Sequence, residues 1–233
     1  MKTSRIITLI ISVLAVSVGL SAKDFEGKIR LKMTVENGKE MFMNYFLRDG
    51  FARIEIEAGK GGAFITLFDP AKPGEIITLM PDQKMYMVTK LFDPKKVEQA
   101  AAQAQPEYVR TGETEKILGY RCEKVVVTMK DIATEAWGAE GLGTFMAMGK
   151  GGETNSSAPK SSWETALAEH GFFPLRSVSR NKAGKEITRL EAQSVESQSL
   201  DASFFAVPAD YKKFEMPSFP GLKGLNPFGK KEN

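Results

Sequence analysis

The sequence predicts a mainly β, α+β fold: a curved antiparallel sheet or half-open β-barrel with about three helices packed on its concave face. Three observations carry this. Period-2 alternation of apolar and polar residues recurs in short runs through the first ninety or so residues. Turn pairs such as Asn37-Gly38 and Asp49-Gly50 separate those runs. Three stretches, beginning near Asp93, Thr134 and Ser161, break the pattern with helical signals.

Ahead of this domain, Lys2 and Arg5 precede an apolar run from Ile6 to Leu20, which gives way to Ser21-Ala22 and the charged Lys23-Asp24. A positive n-region, a short h-region and small residues at the cut read as a secretory signal peptide over residues 1–22, cleaved after Ala22 or after Ser21. A transmembrane anchor would need about 20 apolar residues. Cleavage removes Lys2 and Arg5 from a chain of formal net charge +3. The expected product is a soluble, exported protein with no transmembrane anchor. The remaining bases are interleaved with acids, the pattern of a solvated surface, so no nucleic-acid partner is expected.

From Phe25 to Val35 the odd positions are apolar and the even ones mostly charged, a strand with one wet face. Glu40 to Arg48 places Met41, Met43, Tyr45 and Leu47 on one face, but Phe42 and Phe46 stand on the other. Phe51 to Glu57 returns to clean alternation. Ala63 to Phe68 is apolar on both sides, Phe64 and Phe68 against Ile65 and Leu67, so both must be covered. Ile76 to Met80 and Met85 to Val88 flank a Pro81-Asp82-Gln83-Lys84 turn. Six strands thus follow one another as a meander.

Asp93 as N-cap and Pro94 at the first helical position open a helix that Pro106 ends. Thr111 to Lys130 then reads as strand, turn and strand around Gly119, with a bulge near Glu123-Lys124, and it is expected as the middle hairpin of the sheet. Thr134 to Met148 is expected as a glycine-loosened helix carrying Trp137, Phe145 and Met146. Residues 149–160 form a Gly/Ser/Asn-rich linker. Ser161 to Glu164 has the S-x-x-E form of a capping box, and Gly171 stops that helix after His170. Phe172 to Arg180 and Lys185 to Val195 make a further hairpin. Asp201 caps a short turn carrying Phe204 and Phe205, closed by Pro208. One domain, residues 23–213, contains all of this, and residues 214–233 form a Pro/Gly-rich disordered tail with exposed Phe and Leu.

Little chemistry is on offer. His170 is the only histidine and Cys122 the only cysteine, so no disulfide, no Ser-His-Asp base outside a helix end and no cysteine/histidine metal cluster can be assembled. The glycine loops at Gly59 and Gly149 lack the phosphate-loop spacing. No enzyme activity, cofactor or metal is therefore expected. The surplus is apolar: fifteen Phe and eleven Met, several on faces that alternation would leave wet. Either helices cover that second face and it is core, or it encloses a cavity for an apolar ligand. The candidate lining is Phe42, Phe46, Phe64, Phe68, Tyr86, Trp137, Phe145 and Met146, closed by the Trp137 to Met148 segment.

Four stretches, Phe25 to Ile29 (FEGKI), Thr111 to Lys124 (TGETEKILGYRCEK), Gly171 to Arg176 (GFFPLR) and Ser203 to Lys212 (SFFAVPADYK), resemble a bacterial envelope family known as a domain of unknown function. That family is grouped with the lipoprotein carriers LolA and LolB. The resemblance spans about Asp24 to Lys213 and implies a LolA-like half-open barrel plugged by helices, a periplasmic address in a Gram-negative-type bacterium, and apolar ligand binding. It transfers no catalytic residue. The glycine-rich middle and Pro/Phe tail depart from the lipoprotein carriers. Three functions follow: a non-enzymatic envelope protein binding a lipid, a lipidated peptide or another apolar ligand in the sheet concavity; an interaction module that binds an envelope protein through its sheet edge or tail; and, last, a hydrolase with His170 as its base.

Overall fold

Alternation and turn residues cut the chain into strands short enough to be joined locally, and the structure, a computed structural model, shows how they assemble. It describes residues 25–57, 63–72, 75–90, 107–143, 145, 167 and 170–215. The first meander comprises β1 (Gly27–Val35), β2 (Glu40–Arg48), β3 (Phe51–Glu57), β4 (Ala63–Phe68), β5 (Glu75–Met80) and β6 (Met85–Lys90). The second comprises β7 (Glu107–Ile117), β8 (Tyr120–Met129), β9 (Ile132–Ala139), β10 (Phe173–Asn181) and β11 (Glu186–Ser197). Pairing of β1 with β11 joins them, and β12 (Lys212–Lys213) adds to the far edge beside β6. The result is one open, curved, twelve-stranded sheet in the order β12-β6-β5-β4-β3-β2-β1-β11-β10-β9-β8-β7. Every pairing is antiparallel except β12 with β6, which is parallel.

The six expected strands of the first meander are all present. The Pro81–Gln83 connection is a 3₁₀ turn ended by Lys84 at φ 49°. The second meander corrects two expectations. Residues 132–139 form strand β9, not the start of a helix, and Trp137 lies within it. The physical reason is an alternation of small residues: Thr134, Ala136 and Gly138 are buried on one face while Glu135 and Trp137 are only partly buried on the other. Phe172 lies across that face so closely that a Cβ on Gly138 would stand 2.7 Å from the Phe172 Cβ. Glycine there is a packing requirement rather than a loosened helix. The expected helix beginning at Asp93 and the 149–160 linker lie outside the described residues, as does the tail from Met216. Of the helix expected from Ser161, Leu167 is described: it is helical and buried, and its carbonyl accepts from the Phe172 N–H at 3.0 Å.

The second correction concerns position. The Thr111 to Lys130 hairpin is central in the chain but stands at the edge of the sheet, with β7 outermost. Its turn is as expected, Leu118 at φ 48° and Gly119 at φ 90°. The bulge also exists, but its extra residues are on β7, between Arg110 and Thr114, opposite Lys124.

The core lies on the inner face of β1 to β3, with Ile29, Leu31, Tyr45 and Ile54 fully buried. Curvature brings the far half of the sheet round to it: Cys122, Ala139, Phe173 and Leu175 belong to the same cluster. Burial of this size is the main stabilising term for a chain without a disulfide.

Candidate functional site

Register identifies one apolar row that crosses the inner face of the first meander. Leu31 stands opposite Met43, Met43 opposite Ile56, and Ile56 opposite Phe64. Met80 follows the Ile65–Leu79 pair and so continues the row beside Phe64, and Met85 stands opposite Met80. Along this row exposure rises from 0% at Leu31 and 2% at Met43 to 37% at Phe64, with Ile56, Met80 and Met85 half-buried. The β1–β3 end is closed by aromatic packing. Phe145 stacks on Tyr45 with centroids 5.5 Å apart, and Phe173 meets both rings edge-on at 5.6 and 5.4 Å. The β4–β6 end has no such described cover. It presents flexible thioethers and a phenyl ring across three strands, roughly 10 Å over the two spacings from β4 to β6.

The outer face of the same strands is covered differently. Residues 198–214 run across it as a strap. Asp201 accepts from the Ser203 N–H at 2.8 Å and caps the 3₁₀ turn Ala202–Phe205. Phe204 packs edge-on to Phe46 at 4.9 Å, with the Arg53 guanidinium 4.2 Å from its ring centre. Arg53 also donates to the Phe204 carbonyl at 3.0 Å, and Arg48 donates to the Leu200 carbonyl. Beyond them Val207 and Tyr211 pack on Ile65, Leu67 and Leu79. The strap leaves a cleft of about 440 Å³ against Phe51, Leu67, Phe205 and Val207. Arg30 lies over Phe42 at 5.0 Å and Lys28 near Phe46 at 5.8 Å, so these two rings carry cations and the strap on their outer side.

The eight predicted lining residues therefore do not share one cavity. Phe64 and Phe68 lie on the inner face and Phe145 in the core beneath it. Phe42, Phe46 and Tyr86 stand on the outer face, Tyr86 against the Ile65–Leu79 cluster. Trp137 sits on β9 between Lys124 at 6.0 Å and Arg176 at 5.3 Å. Met146 lies outside the described residues. Sequence reasoning passed over Ile56, Met80, Met85 and Met87. Their parity relative to Phe64 was the available signal, but it becomes readable only with the registers across the intervening turns.

The described titratable groups are engaged in packing and ion pairs. The His170 ring stacks on Tyr108, centroids 4.1 Å apart and 17° from parallel. Burial pushes the Tyr108 hydroxyl above its ordinary range. Cys122 is fully buried, its Sγ 3.7 Å from the Tyr120 carbonyl, and burial pushes its thiol up, away from the thiolate a nucleophile needs. Arg110 holds Glu123 below the usual carboxylate range through a two-pronged ion pair. Among the described residues no group of three or more His, Cys, Asp or Glu is placed to hold a metal ion. Among them, too, no helix is long and apolar enough to cross a membrane.

Residues 25–211 match the family described as Domain of unknown function (DUF4412), and the chain belongs to it. No curated protein matches the chain. Among solved structures, an uncharacterized conserved protein from Thermus thermophilus is similar at 11% identity and TM-score 0.47, over 81% of this chain and 90% of that one. MucB in the Pseudomonas aeruginosa MucA/MucB complex gives 13% and 0.45, over 81% of this chain and 58% of that one. A putative outer membrane lipoprotein-sorting protein domain from Vibrio parahaemolyticus gives 8% and 0.33, over 80% and 91%. Likenesses this distant carry no inference about ligand or partner.

Proposed function

We propose that this DUF4412 chain is an exported, non-enzymatic envelope protein whose sheet holds a lipid, a lipidated peptide or another apolar ligand at the open end of its inner row. The observation that carries this reading is the gradient along Leu31–Met43–Ile56–Phe64–Met80–Met85, from fully buried to half-exposed without a break in apolar character. A ligand lying along β4 to β6 would extend the core outward over side chains that can adapt to it. The residues carrying the reading are Ile56, Phe64, Met80 and Met85 rather than Phe42, Phe46 and Tyr86, which the strap and cations occupy. The signal peptide over residues 1–22 and the periplasmic address belong to the same proposal.

Native mass spectrometry of protein isolated gently from the envelope should show a bound lipid, and Phe64→Asp should remove it along with the binding of a hydrophobic dye. Protein that is always empty and excludes such dyes would sink the reading.

A second reading rests on β7. This strand is eleven residues long, lies at the sheet edge and exposes Val109 to 45%. An envelope protein partner could add a strand there. A photo-crosslinker at Val109 that captures the same partner as one in the Met216–Asn233 tail would unite edge and tail; capture by neither removes this reading.

A further inference from the structure

Three methionines share the inner face of β5 and β6 at the open end of the sheet. Met80 and Met85 are directly opposed across the β5–β6 pair. Met87 is two residues from Met85 and so projects from the same face. All three are half-buried and reachable from solvent. Cross-strand Cβ atoms stand about 4.5–5.5 Å apart and same-face neighbours along a strand about 7 Å. With three rotatable bonds each, the side chains can bring their sulfurs together over that span. Packing alone would be served as well by leucine, which gives up less rotamer freedom on burial.

We infer that Met80, Met85 and Met87 form a thioether site for a soft monovalent cation, Cu(I) or its mimic Ag(I). Thioethers are neutral and polarizable, so they favour such a cation over Zn²⁺, Mg²⁺ or Ca²⁺, which prefer nitrogen or oxygen donors. They have no proton to lose, so binding needs no deprotonation. The backbone beneath is fixed in advance. The Pro81–Gln83 turn holds the opposed pair through the Lys84 N–H bond to the Pro81 carbonyl at 3.1 Å. Lys84 Nζ reaches Asp210 at 2.9 Å, which turns that cation toward the strap. The Lys212 N–H donates to the Lys84 carbonyl at 2.9 Å and the Phe214 N–H to the Tyr86 carbonyl at 2.7 Å, so β12 clamps the strand that carries two of the ligands.

The same sequence device occurs a second time. Met41 and Met43 are two apart on β2, and Met33 stands opposite Met41. There Met43 is 2% exposed and Met33 packs against the core, so two of that trio are taken up in core packing. Only the β5–β6 trio is partly exposed at all three positions.

Met80 and Met85 also line the face proposed for an apolar ligand, and Met→Leu substitution separates the two roles because it removes sulfur while keeping apolar volume. The test is Ag(I) titration of the mature chain by calorimetry in a Cys122→Ser background, which removes the one thiol. One Ag(I) should bind per chain, and Zn²⁺ should not compete. The combined Met80→Leu, Met85→Leu and Met87→Leu variant should lose at least about 30-fold in affinity while keeping the far-ultraviolet circular dichroism and thermal midpoint of the parent. Methionine methyl resonances give a readout that needs no variant: three should shift on Ag(I) addition and those of Met33, Met41 and Met43 should not. Undiminished binding by the triple variant, loss of binding with Cys122→Ser alone, or shifts confined to Met33, Met41 and Met43 would each overturn the assignment.

Discussion

The two ends of the inner row have the same chemistry and different fates. At Leu31 and Met43 the far half of the sheet curls over and seals the face with Phe145 and Phe173. At Phe64, Met80 and Met85 the face continues apolar but half-open. The lesson is that alternation reports which side of a strand is apolar, whereas closure depends on a distant element arriving to cover it. The outer face adds a third outcome, coverage by a short strap with almost no regular structure of its own.

The sharpest way to break this comparison is to truncate one aromatic at each end. Phe173→Ala, at the sealed end, should cost roughly 3–5 kcal/mol in denaturant unfolding, the usual loss for emptying a closed aromatic site. Phe205→Ala should cost roughly 2–3 kcal/mol, because that ring is buried where the strap packs on Phe51 of the sheet. Phe64→Ala, at the open end, should cost about 1 kcal/mol or less. A loss at Phe64 as large as that at Phe173 would mean the open end is sealed, and the ligand reading would lose its site. Smaller still, Leu118→Asn should stabilise the chain by about 0.5–1 kcal/mol, since Leu118 holds a left-handed conformation that asparagine tolerates better. No gain in thermal midpoint would indicate that the exposed leucine makes a compensating contact.

The smallest effect is one of pH and concerns the strap. Hydrogen bonds from Ser203 hold the Asp201 carboxyl below the ordinary value of 3.8, and Lys84 does the same for Asp210. Both folded values are depressed, so their contribution is complete above the unfolded value and is lost as pH falls through the folded one. The protection factor of the Ser203 amide, its exchange rate relative to the unstructured rate at the same pH, should therefore fall in acid, below about pH 4, while β1 amides stay protected. Asp201→Asn keeps an acceptor but has no charge to lose; if the protection factor of its Ser203 amide still falls in acid, the Asp201 cap is not what responds.

Much of the fold was legible because the first meander is built from local hairpins, each with alternation and turn residues beside each other in sequence. Parity within β4 was also readable, Phe64 and Phe68 against Ile65 and Leu67. What escaped depends on contacts between distant residues. Gly138 reads as a loosened helix until Phe172 is seen lying across it. The Thr111 to Lys130 hairpin reads as central until β1 is seen to pair with β11. Phe42 and Phe64 read as partners until the Asp49-Gly50 turn and the β2–β3 register put them on opposite faces. The strap has no period to detect, because it packs through a capped turn and a few aromatic side chains.

The seam between β1 and β11 also bears on how quickly this chain can fold. Within each meander, pairing strands are consecutive in the chain, and even the longest connection, from Ala139 to Phe173, closes a far shorter stretch than the seam does. The seam instead joins residues as distant as Gly27 and Ser197. It cannot form until the chain has paid for the longest closure in the molecule. The two meanders should thus behave as separately nucleated units, with the seam as the late, slow step. A newly made chain would pass through an interval in which the apolar faces of both meanders are exposed and the edges of β1 and β11 are unpaired. Pulse-labelled hydrogen exchange during refolding would show that interval as β2–β3 amides protected ahead of those on β11 that face β1.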